Sequence, residues 1–181
     1  MDLLVITGPP GAGKSAVAER IADMAATSAL VPGDAFFAML RNGGSPPWSS
    51  RAPERNEAVT AAAAAAVGAL VRGGLEVVYD GVLGPRFLPQ FLRHARLATA
   101  NYAVLLPDVD TCVQRVRARA AHGFSDQAAT RRMHADFVSA ALPARHILDT
   151  AAMALSDAVI EVLSRRAQGL LAIGATAAGA W

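Results

Sequence analysis

A single cysteine, Cys112, leaves no partner for an internal disulfide and no second thiolate for a metal, so neither kind of staple organises this chain, and the cytoplasm is the expected compartment. The four histidines, His94, His122, His134 and His146, show no metal-ligand spacing and read as surface or packing residues. Long apolar runs are also missing. The longest, Ala58 to Val71, is mostly alanine, is interrupted by Thr60 and Gly68, and falls short of the ~18 residues that a membrane span needs. No basic stretch precedes the first apolar residues, which argues against a leader peptide. A net charge of +2 is too small to point to nucleic acid. What remains is one compact domain, long enough at 181 residues to bury a full core, with no membrane or nucleic-acid partner expected.

Lysine is scarcest of the charged residues. Sixteen arginines accompany one lysine, Lys14, which falls in Gly8-Pro-Pro-Gly-Ala-Gly-Lys-Ser15, a complete G-x-x-x-x-G-K-S phosphate-binding loop. Such a loop needs a thin ammonium arm to reach between phosphate oxygens that backbone N–H groups already face, and arginine's wide fork does not replace it. The flanks agree. Asp2 to Thr7 is an apolar, β-branched run suited to a strand buried on both faces, and Val17, Ile21 and Met24 repeat at helical spacing after Ser15. Ser15 would place a hydroxyl on Mg²⁺, while the helix starting near Gly13 points its N-terminus at the phosphates. The plainer alternative is a Gly/Pro turn that only joins a strand to a helix.

Strand and helix patterns then alternate. Ala29–Val31, Leu75–Tyr79, Tyr102–Leu106 and His146–Leu148 read as strands two to five, with helical patterns at about 53–72, 86–98, 109–121, 127–141 and 155–167. That alternation specifies a parallel sheet covered on both faces, with ligands beyond the carboxyl ends of its strands. Acidic residues stand at those ends. Asp80 closes the third strand, where a carboxylate holds Mg²⁺ through water or contacts the acceptor. Asp34 follows the second, beside Phe36 and Phe37, where it suits a base that orients an acceptor hydroxyl. Each aspartate has a second reading as a helix cap or turn residue.

The run Gln114 to His122 carries Arg115, Arg117 and Arg119. Arg115 and Arg119 share a helix face and suit charge neutralisation on a transferring phosphoryl group or stacking on adenine; Arg117 points away. Gly123 permits a mobile lid, and Arg131 or Arg132 would close from the far side; a solvated basic face is the alternative. Residues 42–55 form a turn-rich loop in which Trp48 offers an apolar wall and Arg51 and Arg55 polar handles, or in which Trp48 merely packs on the domain. Cys112 reads as a small core residue, and the alanine run 61–66 as a helix that permits close approach. The uncharged tail 169–181 reads as a loose extension, or as a docked apolar strip if ordered.

Taken together, the N-terminal phosphate loop, the aspartate after the second strand, Asp80-Gly81-x-x-Gly84-Pro85-Arg86 after the third, Arg115 and Arg119 before a short lid, and the segment His146 to Thr150 resemble the small P-loop kinases of the nucleoside monophosphate kinase superfamily. Within it the chain looks most like chloramphenicol phosphotransferase and related AAA-type kinases of small molecules. The resemblance implies a P-loop NTPase α/β three-layer sandwich with a five-stranded parallel sheet in the order 2-3-1-4-5. It covers 1–168, with a lid at about 119–128 and an acceptor region at about 34–56, followed by the extension 169–181. ATP and Mg²⁺ are the implied cofactors. ATP would lie on Gly8, Pro10, Gly11, Ala12, Gly13, Lys14, Ser15 and Ala16, with Arg119, Asp149 and Thr150. Ser15 and Asp80 would hold the metal. Lys14, Asp34, Arg115 and Arg119 would act in catalysis, and Asp34, Phe37, Trp48, Arg51, Arg55, Asp80 and Arg86 would hold the acceptor. The acceptor region lacks a recognisable form of the arginine set with which nucleoside monophosphate kinases read their nucleotide. The expected activity is transfer of the γ-phosphoryl group to a hydroxyl of a small molecule, including antibiotics, by a monomer or homodimer. The alternatives are a sugar-nucleotide or gluconate-type kinase, and an ATP-binding switch with slow hydrolysis.

Overall fold

Leu3–Thr7 (β1) is buried at all five positions, as a strand covered on both faces must be. In the computed structural model, which describes residues 2–42, 53–118, 124–140 and 142–174, it is followed by Lys14–Met24 (α1), Ser28–Pro32 (β2), Gly33–Ala38 (α2), Pro53–Arg72 (α3) and Glu76–Asp80 (β3). A 3-10 turn at Pro85–Phe87 leads into Leu88–Ala95 (α4), and then come Thr99–Leu105 (β4), Val109–Ala118 (α5) and Gln127–Ser139 (α6). Ile147–Leu148 (β5), Leu155–Ala167 (α7) and Ala172–Gly174 (β6) complete the order.

The parallel strands run β2-β3-β1-β4-β5, the order expected from the resemblance. Period-two alternation divides the sheet into two cores. Leu3, Val5, Val77, Tyr79, Tyr102 and Val104 pack with residues of α3 and α4 such as Val67, Phe91 and Leu92. Leu4, Ile6, Val78, Ala103 and Leu105 pack with Val17 and Ile21 of α1 and Val159 and Val162 of α7. The same alternation sends Tyr79 and its neighbour Asp80 to opposite faces of β3. This matters for the site.

Small residues set the spacing of the outer helices. A Cβ on Gly68 would stand 1.8 Å from the Ala95 carbonyl oxygen, so the alanine-rich α3 lies directly against the end of α4. Arg72 donates to the same carbonyl at 2.7 Å. On the opposite face, Arg166 of α7 pairs with both Asp2 and Glu76, clasping the helix to the amino ends of β1 and β3.

Two elements depart from the expectation. The short α2 is not announced by periodicity, because six residues hold too little of a 3.6-residue pattern. The sheet also gains a sixth strand. β6 pairs antiparallel with Thr99–Asn101 of β4, burying Leu171 and Ile173, so the docked reading holds for the start of the tail. Residues 175–181, including Trp181, lie outside the described residues.

Candidate functional site

The phosphate loop is built from glycines that nothing else can replace. Gly8 and Gly11 have φ of 141° and 84°, and a Cβ would come within 2.1 Å of the Leu105 carbonyl oxygen at Gly8 and within 2.3 Å of the Cys112 carbonyl oxygen at Gly11. The loop is thus pressed against the end of β4 and the backbone of α5. Gly13, at φ 94°, caps α1 without any side-chain hydrogen bond, and the first turn of α1 carries no acid. Its N–H groups remain available to an anion. Lys14 arches back so that Nζ donates to the Pro9 carbonyl at 3.0 Å. Cys112 beneath is buried, and burial pushes its thiol up to about 11, which fits packing and not nucleophilic chemistry.

Asp80 ends β3 in register with Ile6 of β1 and Pro32 of β2. Its side chain takes the α1 face, close enough to the Ser15 hydroxyl and to Lys14 that both favour its charged form. Burial raises its pKa above the ordinary carboxylate range; Asp34 and Glu19 push the same way, against Ser15 and Lys14. Its Oδ1 is buried with no hydrogen-bond partner among the described residues. A shielded carboxylate oxygen beside a serine hydroxyl and a lysine suits a hard cation bound to phosphate, so these residues fit Mg²⁺ and a nucleotide. Asp34, in the first turn of α2, is exposed, and it lies close enough to raise the pKa of both Asp80 and Tyr79. The fold therefore gathers Lys14, Ser15, Asp34 and Asp80 at one place.

Arg115 is held by the loop after β5. Its Nη2 donates to the carbonyls of Thr150 and Ala151, both at 3.2 Å, and the Thr150 hydroxyl donates to the Ala12 carbonyl at 3.2 Å. Together with Ala16, Met153 and Leu155 these groups line a cleft of about 170 Å³ flanking the phosphate loop. Asp149 is exposed and closes a local turn by accepting from the Ala151 N–H.

The remaining candidates are spread more widely. Arg131 is paired at 3.0 Å with Asp110 across α5 and α6, beside a surface depression of about 360 Å³ that also holds Arg117 and Asp108. Arg86 lies over the Phe87 ring at 4.7 Å and is exposed, as is Arg55 in the first turn of α3; Phe37 is half-buried. Pro10 is half-buried within the loop and Ala12 is buried. Trp48, Arg51 and Arg119 fall outside the described residues.

One network has no counterpart in the sequence reading. The Thr7 hydroxyl and the Leu83 backbone exchange hydrogen bonds, and Tyr102 Oη donates to the Leu83 carbonyl at 2.7 Å. This holds the loop after β3 against the residue that precedes the phosphate loop. The available signal was a polar residue, Thr7, at the end of a strand expected to be wholly buried.

Solved structures share this architecture. The tunicamycin resistance protein of Deinococcus radiodurans matches at 15% identity over 91% of this chain and 95% of that one, with a TM-score of 0.65. A gluconokinase from Sinorhizobium meliloti 1021 matches at 21% identity over 92% of each chain, with a TM-score of 0.62. A sugar kinase from Janibacter sp. HTCC2649 matches at 16% identity over 92% of this chain and 95% of that one, with a TM-score of 0.66. At these identities the likeness is one of fold, and none of the curated proteins matches the chain. The glycine geometry, the lysine and serine beside a buried aspartate, and the strand order agree with a match of residues 3–143 to a family model described as an AAA domain, and the chain belongs to that family of P-loop proteins.

Proposed function

We propose that the protein is an ATP-dependent phosphotransferase acting on a hydroxyl of a small molecule. The observation that carries this reading is the meeting of Asp34 and Asp80 beside Ser15 and Lys14, which brings a candidate acceptor base to the phosphate loop. Loop N–H groups and Lys14 bind and orient the phosphates, and Ser15 and Asp80 would hold the metal. Bound Mg²⁺ would supply charge neutralisation across the phosphate oxygens. The acceptor oxygen forms its bond to the γ-phosphorus as the bond to the ADP oxygen breaks, and Asp34 orients the acceptor hydroxyl and takes its proton. Arg115 and Thr150 position the base. Arg119 is the proposed lid cation that stabilises charge on the transferring group.

ADP release measured with D-gluconate, other sugars and polyols, tunicamycin and chloramphenicol tests the proposal. One acceptor should raise the rate many-fold, and Asp34→Ala should abolish that rise with ATP affinity largely kept. Release indifferent to every acceptor would instead favour a nucleotide-dependent switch.

A further inference from the structure

The chain has two buried tyrosines, and they are treated differently. Tyr102 gives its hydroxyl proton to the Leu83 carbonyl at 2.7 Å, as a buried phenol ordinarily does. Tyr79 is only 4% exposed, yet among the described residues no group hydrogen-bonds its hydroxyl. Its ring is fixed against Phe91, with centroids 4.8 Å apart. The hydroxyl is driven to the carboxyl end of the sheet, beneath two glycines. A Cβ would stand 2.4 Å from it at Gly33 and 2.8 Å from it at Gly81. Those are the residues that follow Pro32 of β2 and Asp80 of β3, the paired strand ends from which Asp34 and Asp80 project.

An immobilised phenol without a partner among the described residues, under two glycines whose backbone leads to Asp34 and away from Asp80, is a donor waiting for an oxygen. A tyrosine hydroxyl keeps its proton at neutral pH, so the group is a donor. An acceptor of the hydroxylated class proposed above offers neutral oxygens, and one of these is the oxygen it would meet. Asp34 is the residue after Gly33, so that oxygen lies next to the hydroxyl that Asp34 would orient.

We propose that Tyr79 is a specificity-determining residue of the acceptor site, donating to a second neutral oxygen beside the reacting hydroxyl, so that 1,2-diols and polyols are preferred over simple alcohols. This rests on the phosphotransferase reading above. The test uses 1-propanol and 1,2-propanediol as acceptors, with ADP release under Mg²⁺-ATP measured in the wild type and in Tyr79→Phe, whose folding is verified by its melting temperature. In the wild type the diol should have kcat/KM about tenfold above the mono-alcohol, the worth of one hydrogen bond of about 1.4 kcal/mol. In Tyr79→Phe the preference should vanish through a raised diol KM, with the KM of ATP unchanged. A wild type that treats the two alcohols alike overturns the inference, as does a preference that survives the substitution or an equal loss of activity with both alcohols. ADP release that stays sensitive to Lys14→Ala and is stimulated by another acceptor would leave the phosphotransferase reading standing even then.

Discussion

Thr7 and Leu83 are bonded in both directions: the Leu83 N–H donates to Thr7 Oγ1 at 2.9 Å, and that hydroxyl donates to the Leu83 carbonyl at 3.1 Å. Thr7 immediately precedes the phosphate loop, and Leu83 lies in the loop after β3, so one side chain fixes the two walls of the cleft relative to each other.

Thr7→Val keeps the shape and removes both bonds. The Leu83 carbonyl retains Tyr102 and its N–H retains the Gly81 carbonyl at 3.1 Å, so the cost is that of the two lost Thr7 bonds, about 0.5–1.5 kcal/mol each. Urea unfolding should show that loss, and Thr7→Ser should recover most of it. Unchanged stability in the valine variant would mean that the loop is held by something else.

The raised pKa of Asp80 fixes the sign of a pH effect. An acid whose folded pKa exceeds its unfolded value holds its proton more tightly when folded, so stability without ligand is highest at low pH. It falls as pH rises from the unfolded carboxyl range through the folded value, and stays lower above it. Asp80→Asn removes this penalty. Without ligand the variant should melt above the wild type at about pH 7, and the difference should close toward about pH 4. With Mg²⁺-ATP the order should reverse. A variant that gains as much from Mg²⁺-ATP as the wild type does would remove Asp80 from the metal site.

Arg115 offers a choice between two roles with different kinetics. Its bonds to the Thr150 and Ala151 carbonyls place it on the cleft flanking the loop, so Arg115→Ala should raise the KM of ATP about tenfold and change kcat by less than about threefold. A fall in kcat of about a hundredfold at unchanged KM would return it to the phosphoryl group.

The course of the chain was legible because its signals are local. A G-x-x-x-x-G-K-S run between an apolar strand and an amphipathic helix constrains φ, charge and helix direction together, and the acids at the ends of β2 and β3 are adjacent in sequence to those strands. The resemblance supplied the strand order. What sequence spacing cannot encode is which distant groups meet. Leu83 is 76 residues from Thr7, and Tyr79 meets Gly33 only because β2 and β3 are paired. Arg115 shows the limit in another way: helix periodicity gave its face, but the partners on that face come from the loop after β5, which no periodicity predicts. β6 escaped because alanine and glycine are poor strand formers, and its pairing rests on Leu171 and Ile173 finding the sheet.

The outer flank of the sheet, beyond β4, is made of two fragments, β5 with two residues and β6 with three, running in opposite directions. Among the described residues an incoming strand would find no long row of unsatisfied amides there to register against, and the opposite border, β2, terminates in a proline that has no amide to offer. Short, broken borders of this kind discourage fibrous self-association, even in a protein more than half of whose residues are hydrophobic.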